Sequence, residues 1–139
     1  GYVVECTGAQ RDEDGQLSVV HARLIPDTKS GTPGSDAVKV KGVITWVAVQ
    51  DAVSAEVRLY DRLFVEAQPD AGGKDFVQAL NPNSLKVVQA RLEPCLAKAL
   101  NGQKFQFERH GYFVADDRDH AAVHPVFNLA VALKDSWGK

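Results

Sequence analysis

Apolar and polar residues alternate with period two along much of this chain, which is the pattern of strands with one buried face. The alternation is clearest in residues 105–113, where two aromatic runs are joined by Glu-Arg-His-Gly. Gly111 at the joint permits a tight turn or a bulge. This stretch therefore predicts two strands and a sharp bend, with Gln106, Arg109 and His110 near the bend.

The same alternation predicts strands in most other segments of the chain. Asp14-Gly15 is a strong hairpin signal between the runs at 2–7 and 17–25. Further strands are predicted at residues 38–47, 55–64, 84–92 and 126–133.

Two short helices interrupt the predicted strands. Asp75 is placed to cap a helical turn that must end before Asn81-Pro82. Pro94 opens a second helix over 95–100, because proline is tolerated at the first helical position. Its two leucines, four residues apart, are expected to face inward at positions Leu96 and Leu100.

The order of these elements predicts an all-β fold. Strands follow one another without a βαβ rhythm, so a parallel sheet is not expected. Loops rich in polar residues, Gly and Pro are predicted at 26–36 and 116–125. A similar segment at 66–74 is interpreted as a boundary between two units. We therefore predict two small antiparallel β units, residues 1–66 and 67–139.

Composition narrows the class of protein. The 139 residues are 45% hydrophobic and 24% charged, as in a globular domain. The net charge of −2 gives no overall basic field, so nucleic-acid binding depends on a local patch. No apolar run is long enough to span a bilayer and no signal peptide opens the chain, which favours a cytoplasmic location.

The two cysteines and the start of the chain carry further expectations. Cys6 and Cys95 are predicted to be free, buried thiols in a reducing compartment rather than a disulfide. The sequence has no Met and begins at Gly1 with a strand-like run. We expect it to be a piece of a longer chain.

No catalytic, cofactor or metal site is predicted from motifs. His120 and His124 lie four apart beside several aspartates, but a solvated loop is favoured over a metal site because Pro125 follows and helical periodicity is weak. The chain has no Gly-x-Ser-x-Gly, and its glycine-rich segments lack the Lys-Ser/Thr of a phosphate loop.

Two pairs of polar side chains are candidates for RNA binding. Lys39 and Lys41 share a predicted strand face, which suits a phosphate backbone although a solvated face is commoner. Gln106 and Arg109 carry the groups best shaped for base edges, and an ordinary polar face with Arg109 in an ion pair is the alternative. Positions 106 and 109 of a regular strand face opposite sides, so one shared site requires a bulge or bend between them.

Five runs stand out as a set. They are residues 39–47 (KVKGVITWV), 56–64 (EVRLYDRLF), 81–85 (NPNSL), 105–113 (FQFERHGYF) and 125–137, which begins PVFN and ends at Trp137. In this order, and over nearly the whole chain, they resemble the C-terminal anticodon-binding region of the glutaminyl-tRNA synthetase family.

The resemblance implies a fold and a set of functional residues. The fold would be two small antiparallel β-barrels similar to ribosomal protein L25: a distal barrel at 1–66 and an incomplete proximal barrel at 67–139 with exposed sheet edges. Gln106 and Arg109 match family positions that read the middle anticodon base. The partner would be the anticodon loop of tRNA(Gln), with no DNA and no membrane involved.

The resemblance also implies a parent enzyme. This would be a monomeric class I ligase that joins glutamine to its tRNA with ATP and magnesium, in a catalytic domain absent from this sequence. Three alternatives stay open: an rRNA-binding barrel of the L25 type, an independent metal-dependent hydrolase using His120 and His124, and a non-discriminating glutamyl-type synthetase.

Overall fold

Strands and short 3₁₀ helices make up the regular structure of residues 1–133, the part of the chain that the computed structural model describes. Trp137, at the end of the last matching run, lies outside these residues. The strands are β1 (Val4–Arg11), β2 (Leu17–Leu24), β3 (Val53–Tyr60), β4 (Leu85–Leu92), β5 (Lys104–Phe107), β6 (Gly111–Ala115) and β7 (Val126–Ala132). The 3₁₀ helices are Ala71–Gly73, Phe76–Ala79 and Pro94–Lys98.

The chain divides into two compact units, Gly1–Ile44 and Thr45–Lys139. The division predicted from the sequence, 1–66 and 67–139, stays a prediction. In the structure, β3 comes before the predicted boundary and pairs with β4 and β7, which come after it.

The first unit is built on the predicted hairpin. β1 and β2 pair in antiparallel fashion, and the turn between them has Gly15 at a φ of 77°. The Gly15 N–H donates to the Asp12 carbonyl at 3.0 Å. Every residue of β2 is exposed, including Leu17 and Val20.

The second unit contains a five-stranded sheet in the order β4-β3-β7-β6-β5. Neighbours are antiparallel except β3 and β7, which run parallel with Glu56 opposite Val126 and Arg58 opposite Asn128. The expectation of purely antiparallel pairing is therefore wrong for this pair. The long connection from β3 to β7 passes through β4, β5 and β6, which gives the chain enough length to return in the same direction.

One face of this sheet carries the hydrophobic core. Ala55, Val57, Phe113, Ala115 and Phe127 are buried in it with Leu92 and Leu96. The rings of Phe107 and Phe113 stack with centroids 4.3 Å apart, and Phe105 meets Phe127 edge to face at 5.8 Å. Alternation therefore divides β5 and β6 into a core side and a solvent side, as the sequence predicted.

The two predicted helices are present as 3₁₀ turns. The Asp75 carboxylate accepts from the Val77 N–H at 3.1 Å, which confirms the predicted cap. Pro94 opens the second helix and Leu96 is buried, as expected. Leu100 is 72% exposed, because the backbone becomes extended at Ala99 and helical spacing no longer applies.

The predicted strand over 38–47 does not form. Among the described residues this segment has no strand paired with it, and a strand requires a neighbour to bond its backbone groups. Val40, Ile44 and Trp46 are all more than half exposed as a result.

The all-β class is confirmed, whereas the two barrels stay a prediction. Residues 1–133 contain one two-stranded and one five-stranded sheet, and neither is closed. Within the same residues, no helix has the length and apolar character needed to cross a lipid bilayer.

Both cysteines are free, as predicted, but the expected burial is wrong. Cys6 and Cys95 are exposed. Cys6 lies on β1, most of whose residues are exposed, and Cys95 precedes Leu96, which takes the inward position of its short helix.

Gly111 is required by the close approach of β6 to β7. It has a φ of 151°, and a Cβ at this position would lie 2.7 Å from the Val131 carbonyl oxygen and 2.9 Å from Leu129 Cδ1. We expect Gly111→Ala to destabilise the chain by about 2–5 kcal/mol in urea denaturation, from the unfavourable φ and the overlap together.

Gly73→Ala is the matched control, because Gly73 has a φ of 74° with open space around the added Cβ. We expect Gly73→Ala to lower the free energy of unfolding by about 1–2 kcal/mol. Equal losses of unfolding free energy for the two variants would show that the contact with β7 does not constrain position 111.

Candidate nucleic-acid interface

The hairpin of β5 and β6 presents a polar face on the side opposite the core. Its register pairs Gln106 with Tyr112 and Lys104 with Val114, while Phe105 pairs with Phe113. Lys104, Gln106 and Tyr112 are exposed. Because the phenylalanines fill the core side, the amide of Gln106 is held on the solvent side of a well-packed strand.

Arg109 lies in the turn of this hairpin. The His110 N–H donates to the Phe107 carbonyl at 2.9 Å, and Arg109 between them has a φ of +67°. A non-glycine residue in the left-handed region is uncommon and costs about 1–3 kcal/mol, and such residues cluster at functional sites. The sequence pointed to Gly111 for the bend and gave no sign that Arg109 adopts a positive φ.

Position 109 lies outside the strand, so the alternation of a regular strand does not decide which side Arg109 faces. Strict alternation ends with β5 at Phe107, and the left-handed residue at 109 redirects the backbone after it. Gln106 and Arg109 are both exposed. That they read one nucleotide together stays a prediction.

Arg109 has no ion-pair partner among residues 1–133, and neither has Lys104. The alternative of Arg109 held in a surface ion pair is therefore not what the described part of the chain shows. A planar guanidinium suits base edges and phosphates alike.

Lys39 and Lys41 are exposed, but they do not share a strand face. The segment that carries them has no regular structure, so the period-two arrangement predicted for them is wrong. Their candidacy for RNA binding rests on charge and exposure alone.

A second polar cluster, the Arg58 cluster, lies elsewhere on the same sheet. The Arg58 guanidinium lies 2.7 Å from Glu56, 2.7 Å from Asp119 and 3.4 Å from Asp116. Asn128 Nδ2 donates to Asp116 Oδ2 at 2.6 Å. These bonds tie the start of the 116–125 loop to β3 and β7.

The Arg58 cluster shifts the pKa values of its members. Asp119 and Glu56 raise the pKa of Arg58 above its ordinary value. The Asp119 N–H, then Asn128 and the Arg118 N–H, lower the pKa of Asp116 to about 2. The cluster sets one guanidinium against three carboxylates, so it carries an excess of negative charge that repels anions.

Sequence reasoning missed the Arg58 cluster, although half of it was visible. Glu56 and Arg58 are two apart on one strand, and such residues lie on the same face. Asp116 and Asp119 come from a loop 58 or more positions later, and no local pattern brings them to Arg58.

His120 is buried, so the predicted solvated loop is wrong at this position. The ring is 6% exposed, with Nε2 3.1 Å from the Ala99 carbonyl oxygen and Nδ1 accepting from the Val126 N–H at 3.2 Å. His124 is exposed. Among residues 1–133 no group of three or more His, Cys, Asp or Glu side chains is arranged to hold a metal ion.

The pKa of Asp116 predicts a loss of stability in acid. The folded-state pKa of about 2 lies below the ordinary value of 3.8, so this carboxylate stabilises the fold above about pH 4. That contribution falls as the pH drops from about 4 toward 2. We expect the free energy of unfolding to fall less between about pH 4 and 2 for Asp116→Asn than for the unmodified chain, as measured by acid denaturation. Identical denaturation curves for the two chains would contradict the assignment.

Comparison with known proteins matches this chain to one family. The model of the anticodon-binding domain of class I tRNA synthetases (E and Q) matches residues 43–116. Over the whole chain, the sequence is 63% identical to the glutamine–tRNA ligase of Ralstonia pickettii and 62% identical to that of Cupriavidus necator. It is 58% identical to the glutamine–tRNA ligase of Bordetella avium over 99% of its length. The chain spans about a quarter of the length of these relatives (24%, 24% and 23%).

Proposed function

Because this chain belongs to the anticodon-binding domain family of class I tRNA synthetases for glutamate and glutamine, we propose that it binds the anticodon loop of a tRNA. The observation that carries this proposal is the hairpin of β5 and β6. It holds Gln106 and Arg109 exposed at its end while its phenylalanines fix the backbone from the core side.

Glutamine is the proposed amino acid. The matching family covers synthetases for both glutamate and glutamine, and the relatives that match along the whole chain are glutamine–tRNA ligases. The parent enzyme would join glutamine to tRNA(Gln) with ATP and magnesium as a cytoplasmic monomer. The residues of this chain contribute recognition of the tRNA and no catalytic group.

We assign Gln106 and Arg109 to the middle anticodon base. An amide offers a donor and an acceptor side by side, and a guanidinium offers paired donors, so together they suit the edge of an unstacked base. Lys39 and Lys41 are assigned to phosphates, which a flexible ammonium binds as a point charge.

The proposed architecture is a distal barrel at 1–66 and an incomplete proximal barrel at 67–139. The open five-stranded sheet supports an incomplete proximal barrel, because its edge strands β4 and β5, both within 67–139, leave backbone groups that further strands would pair. We propose that parts of the parent enzyme outside this chain supply those strands.

Substitution of Arg109 in the parent enzyme tests the proposed function. We expect Arg109→Ala to weaken binding of the tRNA by about 5- to 150-fold, as for loss of a guanidinium from a base edge worth about 1–3 kcal/mol. The measurement is the dissociation constant at one fixed ionic strength, for tRNA with its native anticodon and for tRNA with the middle base replaced. The variant should lose much less affinity for the second tRNA.

Arg91→Ala is the matched control. Arg91 is exposed on β4, at the opposite edge of the same sheet, where its Nη1 donates to Ser54 Oγ at 2.6 Å. It should leave both dissociation constants within about twofold, since surface substitutions outside a binding site are near neutral. The base-reading role would be overturned if Arg109→Ala and Arg91→Ala lost equal affinity for the native tRNA. It would also be overturned if Arg109→Ala lost equal affinity for both tRNAs.

A further inference from the structure

Tyr112 is an aromatic residue of the hairpin that does not pack in the core. Phe105, Phe107 and Phe113 pack in or against the buried cluster, whereas Tyr112 is 47% exposed on the opposite side. Among residues 1–133 its hydroxyl has no hydrogen-bond partner and its ring has no aromatic neighbour. Exposing a large ring in this way does not stabilise the fold.

The register places Tyr112 beside the proposed base reader. Tyr112 lies directly opposite Gln106 on β5, and directly opposite side chains in antiparallel pairs have Cβ atoms about 4.5–5.5 Å apart. On its other side it is opposite Val131 of β7, which is 58% exposed. The ring therefore has an open apolar surface adjacent to the Gln106 amide.

The charge around Tyr112 suits a nucleic acid. Lys104 is exposed on the same face of β5 and Arg109 follows in the turn, and neither has an ion-pair partner among the described residues. An aromatic ring next to cations and an amide is the arrangement by which proteins hold single-stranded RNA: the ring stacks on a base and the cations meet phosphates.

We propose that Tyr112 is a stacking residue of the anticodon site, with its ring against the face of an unpaired anticodon-loop base. This rests on the proposed function above and adds a contact to a base face where Gln106 and Arg109 contact base edges. Stacking is tolerant of base identity, so Tyr112 contributes affinity for the unpaired loop, and the discrimination between bases stays with Gln106 and Arg109.

The test compares Tyr112→Ala and Tyr112→Phe in the parent enzyme. We expect Tyr112→Ala to raise the dissociation constant for the tRNA by about 5- to 150-fold, the range for loss of one base stack. Tyr112→Phe should stay within about threefold of the unmodified enzyme, because the ring is kept.

Tyr60→Ala is the matched control for loss of an exposed tyrosine. Tyr60 is 48% exposed on β3 of the same sheet, and its hydroxyl donates to Asn128 Oδ1 at 3.2 Å. It should leave tRNA affinity within about twofold. A thermal melt of each variant checks that the sheet is intact, and Tyr112→Leu retains an apolar cross-strand neighbour if the alanine variant is unstable.

The outcomes separate this inference from the proposed function. If Tyr112→Ala and Tyr112→Leu bind tRNA as the unmodified enzyme does while Arg109→Ala loses affinity, stacking by Tyr112 is wrong and the anticodon role stands. If Tyr112→Phe loses as much affinity for the tRNA as Tyr112→Ala does, the hydroxyl and not the ring makes the contact, which overturns stacking. If neither Arg109→Ala nor Tyr112→Ala changes affinity, both proposals fail.

Discussion

The packing of the hairpin phenylalanines on Phe127 is the constraint on which the site depends. Phe107 stacks on Phe113 at 4.3 Å between ring centroids and meets Phe127 edge to face at 5.5 Å. With these rings fixed in the core, the alternation of the strands leaves Gln106 and Tyr112 no position except the solvent side. The Gln106 and Tyr112 side chains are therefore oriented by a core that lies on the other side of the sheet.

The same sheet separates charge of opposite sign. The Arg58 cluster joins the 116–125 loop to β3 and β7 and carries an excess of carboxylates. Lys104 and Arg109, which have no ion-pair partner within residues 1–133, lie on β5 and in the turn that follows it, beyond β6 in the strand order. The cations of the hairpin attract anions and the carboxylates of the cluster repel them, although the net charge of the whole chain is only −2.

Local patterns in the sequence predicted the elements that local interactions determine. The β5–β6 hairpin, the Asp75 cap and the Pro94 helix start depend on neighbours a few residues apart, and all are present. Two predictions about the strands were wrong because they depend on distant partners. Within the described part of the chain, no strand pairs with the 38–47 segment, and β3 pairs in parallel with β7. No periodicity encodes which strand is available as a neighbour.

The site was predictable in part for the same reason. Alternation alone placed Gln106 on the polar side of its strand, and Gly111 marked the bend. The positive φ of Arg109 was not predictable, because arginine has no preference for that region and the turn imposes it. His120 was misjudged because its ring nitrogens bond backbone groups of Ala99 and Val126, which only the folded chain brings together.

Photo-crosslinking of the parent enzyme to its tRNA would show whether the β5–β6 hairpin contacts the middle anticodon base. A photoreactive base at the middle anticodon position, followed by digestion and mass spectrometry of the linked peptide, identifies the residues in contact with that base. We expect the linked peptide to contain the β5–β6 hairpin, residues 104–114. Efficient crosslinks confined to peptides outside this hairpin would contradict the account.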